Sequence, residues 1–483
     1  MKDFLKKYWL LIIAEIVAVL IFVIFYGKFG DVIVDSYREV YIPQQMLRGK
    51  LLYRDIFCIY PPLAYLLNAL LFVIFGAGVK VLKSAALLST MGIIFFVYKI
   101  SEKFMDKFAI SGILLFLTGG ALLASNVFSP LFPYSFGMLY GILFILGGIY
   151  FALEKKFPLA YFLYALAVCS KFELILALPA FIWASKTVDW KKNLTALLIP
   201  PAFITAVLFL LGIRLDDIKT TFDLINIVSS TKSLYWFYSS MGLVFRWELL
   251  PIYAENILKF ILPVKPVLYQ EAIIWAFPVI LVLYLARFKK LSAEAKIVIA
   301  ASLLASAKVF FAETLQSYGV FYLPLCLISL MLVIPERFKK ILAIYFIIWG
   351  LIAGFNNAKT LYNKTDIGVA KTAEYFKTAE KGKVVVYPEG LSINILSGRE
   401  SDNKFYSLIP MNVEGFGEEL ISKRIEITKP EYIVINNYDT SAYYFKNFGK
   451  DYAREIFKYI ENNYELKAVI RDILEYKIYR LKH

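Results

Sequence analysis

Long apolar runs separated by short polar joints recur from residue 8 to residue 356. Runs near the roughly 17–25 apolar residues that cross a bilayer cover 8–26, 81–98, 108–126, 135–153, 158–170, 173–185, 194–213, 270–286, 297–313, 319–335 and 341–356. The pair 158–170 and 173–185 is short, and its joint holds Ser170, Lys171 and Glu173. A further run, 61–78, opens on Pro61-Pro62 and closes in glycines. Beyond 356 the pattern changes. VVVYP (384–388), EYIVINNY (431–438), LKAVIRD and LEYKIYR read as strands, with amphipathic helices around 415–428 and 449–463 between them. The pattern predicts a polytopic α-helical membrane domain over 1–356 and a small α/β domain over 357–483.

Basic residues decide how the runs are threaded. Lys2/Lys6/Lys7, Lys99/Lys103/Lys107, Lys155/Lys156, Lys186/Lys191/Lys192, Arg287/Lys289/Lys290 and Arg337/Lys339/Lys340 share one side only if 61–78 does not span. Positive loops face the cytoplasm, so the expectation is about eleven spans. The N-terminus is then cytoplasmic, and 27–80, 214–269 and 357–483 lie outside the cytoplasmic (inner) membrane. The first apolar run is long enough to stay as an anchor, so no cleaved signal peptide is expected.

Composition agrees. Of 483 residues, 59% are hydrophobic and 19% charged, against roughly 45–50% and 25% in soluble domains. The net charge of +15 sits in the short joints, which points to topology and away from a nucleic-acid partner. Cys58, Cys169 and Cys326 form no CxxC and no disulfide framework. The only histidine is His483, which argues against a histidine base, a Ser-His-Asp triad or a His-rich metal site.

Candidate chemistry gathers in the first external loop. Asp35, Arg38 and Glu39 are spaced to share a helix face. A carboxylate at the membrane surface can take a proton from a hydroxyl acceptor, and a phosphate leaving group needs only positive charge. On spacing alone, a surface salt bridge explains these charges as well. At Lys171, snorkelling or a pair with Glu173 competes with phosphate binding.

The loop resembles the first external loop of the GT-C superfamily of lipid-linked glycosyltransferases, in the protein O-mannosyltransferase and aminoarabinose transferase branch. Asp35-Ser-Tyr-Arg38, the helix through Met46-Leu47-Arg48-Gly49, Leu52-Tyr53-Arg54-Asp55 and Tyr60-Pro61-Pro62-Leu63 follow the order of that family's features. The resemblance implies Asp35 as catalytic base and a polyprenyl-phosphate-linked sugar as donor. It implies Lys171, in CSKFE (169–173), together with Arg38, near the donor phosphate. It covers about the first 175 residues in motif detail and the later regions in layout only. Two features depart from the family: NVFSPLFPYS (126–135) carries no acid, and Tyr60 stands where relatives often have a lysine. A second acidic role would fall to Glu39, Asp55 or Glu173, and Tyr60 and Arg246 are candidate substrate contacts. The acceptor, a lipid, glycan or protein, is not implied. Metal use varies across the superfamily, which leaves a divalent cation open.

Other polar residues have ordinary explanations. Lys308, Glu313 and Gln316 fit pairing or snorkelling, Arg399 and Glu400 a solvated turn, and the Trp and Tyr of 214–269 interface anchoring. No P-loop or GxGxxG is present. The functional expectation is an inverting membrane glycosyltransferase acting outside the cytoplasm. The competing classes are a transporter or flippase of lipid-linked saccharides, which more often shows internal symmetry, and an O-antigen ligase or polymerase using arginines of 214–269.

Overall fold

The computed structural model describes residues 2–30, 36–124, 129–186, 190–240, 272–310, 315–364, 367–401 and 404–482, with side chains from residue 6 and excluding 237–240, 272–275, 308–310 and 315–320. The apolar runs form helices α1 (Lys2–Ile24), α4 (Val79–Ser101), α5 (Lys107–Phe116) with its π-helical continuation Leu117–Leu122, α6 (Phe136–Leu153), α7 (Phe157–Ser170), α8 (Leu178–Ala184), α9 (Trp190–Leu210), α12 (Ala272–Arg287), α13 (Ala293–Phe310), α14 (Leu315–Val333) and α15 (Glu336–Asn363). Among the described residues, five helices are each long and apolar enough to cross a bilayer: those at Lys6–Ile24, Val79–Ser101, Phe136–Leu153 and Trp190–Leu210, and the one starting at Glu336. Several of the others are apolar but shorter. α15 continues without a break past residue 356 to Asn363.

Two helices precede α4 and belong to the first loop. α2 (Arg38–Leu47) is mostly buried, although Pro43 lies inside it. α3 (Leu63–Phe75) begins directly after Pro61-Pro62, where proline fixes φ for a first turn. Its 13 residues rise only about 20 Å, against a hydrocarbon core of roughly 30 Å. It buries Leu63, Tyr65, Asn68 and Phe72 and exposes Leu70, Val73, Ile74 and Phe75.

Small residues let α5 and α15 approach backbone to backbone. A Cβ on Gly350 would meet the Leu115 carbonyl oxygen at 2.7 Å, and one on Gly119 would meet the Gly350 oxygen at 2.1 Å. In a bilayer, where lipid is as apolar as leucine, such close packing supplies much of helix association.

The C-terminal region is built on a four-stranded sheet in the order β1-β2-β4-β3: β1 (Val384–Tyr387), β2 (Tyr432–Asn436), β3 (Tyr464–Arg471) and β4 (Glu475–Leu481). β1 and β2 are parallel and every residue in both is buried. Their continuous apolar runs follow from burial on both faces. Val385, Tyr387, Ile433 and Ile435 share a core with α18 (Pro410–Phe416), α19 (Glu418–Thr428) and α20 (Arg454–Asn463). Val384, Val386, Tyr432 and Val434 pack against α16 (Ile367–Thr378) and α17 (Leu391–Ser397). The runs read as strands from sequence coincide with these four.

The segment 214–269 is described as far as residue 240, as α10 (Leu215–Ser229) and α11 (Lys232–Ser240). These helices dock on the C-terminal region. Val228 and Leu234 join its core, Ser233 N donates to Glu414 at 2.9 Å, and Trp236 meets the Tyr444 ring edge-on at 5.2 Å.

Candidate active site

Three expected residues converge at one end of the bundle. Arg38 opens α2, Tyr60 lies in the turn before α3, and Lys171 caps the end of α7. The Tyr60 ring has the Arg38 guanidinium 4.7 Å from its centroid and the Lys171 ammonium 5.4 Å away. Each element is held for a local reason. Tyr60 precedes Pro61-Pro62, which biases it to extended backbone, and its carbonyl accepts from Tyr53 Oη at 3.0 Å and more weakly from Cys58 Sγ at 3.8 Å. At Lys171 the helix breaks into extended geometry, and a 3-10 turn, Phe172–Ala177, follows. Gly137 of α6 makes room for that break, since a Cβ there would meet the Ser170 carbonyl oxygen at 2.7 Å.

The charges are buried but balanced. Arg38 Nη2 lies 3.5 Å from Glu39 Oε1 and donates to the Tyr134 carbonyl at 3.1 Å. Glu39, 1% exposed, also accepts from Tyr65 Oη and from Phe136 N, each at 3.2 Å. Phe136 is the first residue of α6, so the carboxylate faces the positive end of a helix dipole. Ser135 caps that same helix by accepting from Met138 N. Lys171 Nζ lies 3.5 Å from Glu173, beside which sits the buried Tyr322 hydroxyl of α14. Each cation therefore keeps a neighbouring carboxylate at 3.5 Å.

Asp55 is placed apart from this group. Its carboxylate accepts from Leu51 N at 2.8 Å and closes its own turn. Neighbouring Arg54 makes a two-pronged pair with Asp217 of α10 at 2.8 and 3.0 Å. Asp35 and Arg246 lie outside the described residues, as do Asp31 and Glu313. Ser36, the first described residue after Asp35, is fully buried. Among the described residues no cluster of three or more His, Cys, Asp or Glu side chains suits a metal ion.

Sequence reading missed the contribution of the C-terminal region. Tyr406 stacks at a tilt on Tyr41 with centroids 5.7 Å apart, and lies within electrostatic reach of Arg38, Tyr60 and Cys58. Burial holds its phenol well above the usual range. Tyr41 Oη donates to the Ser401 carbonyl at 2.7 Å, Phe57 N to the Lys404 carbonyl at 3.4 Å, and the Phe57 ring meets Phe416 at 4.9 Å. Burial lowers the affinity of the Lys404 ammonium for its proton. The same enclosure pushes the Cys58 thiol up to about 12. Only the tyrosine and phenylalanine richness of 405–406 hints at this contact in the sequence.

The overall fold has solved counterparts. ArnT from Cupriavidus metallidurans bound to undecaprenyl phosphate superposes with a TM-score of 0.57 at 12% identity, over 98% of both chains. The Archaeoglobus fulgidus oligosaccharyltransferase tethered to an acceptor peptide containing the NVT sequon superposes with a TM-score of 0.52 at 12% identity, over 100% of this chain and 75% of that one. No protein-family model matches the chain, and no curated protein matches it in sequence. Over nearly its whole length this chain shares its fold with these ArnT and oligosaccharyltransferase structures.

Proposed function

We propose that this protein is an inverting membrane glycosyltransferase that moves a sugar from a polyprenyl-phosphate carrier to an acceptor outside the cytoplasmic membrane. The observation that carries the reading is the meeting of Arg38 and Lys171 on the Tyr60 ring, from elements more than a hundred residues apart in the chain. Asp35, three residues before Arg38, takes the acceptor hydroxyl proton. The acceptor oxygen attacks the anomeric carbon, and the carbon–oxygen bond to phosphate breaks. The leaving phosphate carries away the electron pair, and Arg38 and Lys171 stabilise its charge. Glu39 acts through its bonds to Tyr65 and Phe136 N, which fix α2 against α3 and α6 and so aim Arg38. Tyr60 holds the two cations on its ring face, and Tyr406 forms an aromatic wall for the sugar. The structural relatives support this reading, one by its bound undecaprenyl phosphate and the other by its acceptor peptide.

The test uses purified full-length protein with radiolabelled polyprenyl-phosphate sugars and a panel of lipid, glycan and peptide acceptors. Asp35→Asn is expected to lower turnover by about 10²–10⁴-fold, the usual share of a general base. Lys171→Met is expected to raise the donor KM by roughly 10–100-fold, the equivalent of one charge-assisted bond. Undiminished turnover in Asp35→Asn overturns the mechanism. Saccharide movement across liposomes without transfer to any acceptor replaces it with a transporter.

A further inference from the structure

Three lysines gather where α1 ends, α4 begins and α15 ends. Lys28 Nζ donates to the Lys364 carbonyl at 2.6 Å, and Lys364 Nζ donates back to the carbonyls of Lys28 and Gly30. Lys83 Nζ donates to the Tyr26 carbonyl at 2.6 Å. It lies 4.9 Å from the Tyr26 ring centroid and 5.2 Å from that of Phe132, and is 6% exposed. Lys364 is close enough to act on Lys83 electrostatically. No carboxylate of the described residues pairs with any of the three.

This is an unusual way to hold lysines. A buried cation such as Lys83 is ordinarily paired with an anion, because desolvation is costly otherwise, and here two half-buried lysines stand beside it instead. Here backbone carbonyls and ring faces orient the ammonium groups but bring no full negative charge. Each ammonium has three donors, and the carbonyls leave some of them unused. The N-terminus of α4 adds the positive end of a helix dipole beside Lys83. Gly30 keeps the arrangement tight. At φ +91° it sits in the left-handed region, and a Cβ there would strike the Phe132 ring at 2.3 Å. Among the described residues the cluster is therefore rigid and basic, with no carboxylate in it.

We propose that Lys28, Lys83 and Lys364 form a second anion site that takes a phosphate group, separate from the one at Arg38 and Lys171. A phosphate offers several acceptor oxygens to the remaining donors at once, and lysines bind it as converging point charges. The site does not depend on the transfer reaction. Phe132, whose ring faces Lys83, also meets Tyr37, the neighbour of Arg38 in the chain, edge-on at 6.1 Å.

The experiment is native mass spectrometry of the full-length protein in detergent, titrated with phosphatidylglycerol or with diacylglycerol, which lacks the phosphate. Wild type is expected to retain phosphatidylglycerol and not diacylglycerol. Lys83→Met/Lys364→Met is expected to bind phosphatidylglycerol roughly tenfold more weakly or worse, and Lys83→Arg/Lys364→Arg to keep the binding. Competition by inorganic phosphate at millimolar levels identifies free phosphate as a ligand, and its failure to compete identifies the lipid headgroup. Lys28→Met, at the more open rim, is expected to weaken binding partially and supplies the reading if the double Met variant does not fold. Equal retention by wild type and by a folded Met variant overturns the proposal, as does retention of diacylglycerol to the same extent as phosphatidylglycerol.

Discussion

Arg38 carries more of the site's geometry than any other single side chain. Its guanidinium reaches Glu39, the Tyr134 carbonyl and the Tyr60 face together. A lysine offers one point charge and cannot reproduce that planar fork. Arg38→Lys is accordingly expected to lower kcat/KM by roughly tenfold, about 1.4 kcal/mol, measured in the transfer assay on variant protein that elutes as folded. Cys58 reports on the same enclosure. Burial holds its thiol at about 12, whereas a free thiol titrates near 8.5. Between those values the folded chain keeps a proton that the unfolded chain has lost. This group's contribution to stability is thus full below about pH 8.5 and is lost as pH rises toward the folded value. Alkylation of Cys58 by iodoacetamide at pH 9, followed by peptide mass spectrometry, is expected to be slow in folded protein and fast in denaturant. The sequence made Arg38, Tyr60 and Lys171 visible because local spacing and a family resemblance single them out. Tyr134, whose carbonyl accepts from Arg38, and Tyr406, which meets Tyr41, were not visible, since each lies in a loop with no periodic pattern of its own.

Among the elements, the apolar helices were legible because bilayer-length runs are the strongest signal a sequence holds. The strands were legible too, since β1 and β2 are continuous apolar runs bounded by polar turns. Helix pairing was not. Nothing in the hydropathy of α5 or α15 states that Gly112, Gly119, Gly350 and Gly354 form one seam, because a glycine changes mean apolarity little while deciding how closely two backbones approach. A leucine at Gly350 would collide with the Leu115 carbonyl and the start of Phe116. Gly350→Leu is expected to destabilise the bundle by about 1–3 kcal/mol, the usual scale of overpacking, seen as a lower melting temperature in detergent. Gly27, which has open space around it, is the matched control and is expected to accept alanine with little change.

At the scale of the whole molecule, the first loop and the C-terminal region close on each other through Tyr41, Phe57, Tyr406 and Phe416. Tyr41→Phe removes one hydrogen bond to Ser401 and is expected to weaken this closure by about 0.5–1.5 kcal/mol. Hydrogen exchange at residues 404–416 is expected to quicken while exchange in α6 stays unchanged. Tyr41 and Ser401 are separated by 360 positions in the chain. A ribosome adding about 5–20 residues per second makes the first of them roughly 20–70 s before the second. Throughout that interval the aromatic face of the first loop has been made and its cover has not. A chain interrupted anywhere short of Ser401 therefore lacks the Tyr41 partner and the aromatic cover that Tyr406 and Phe416 supply.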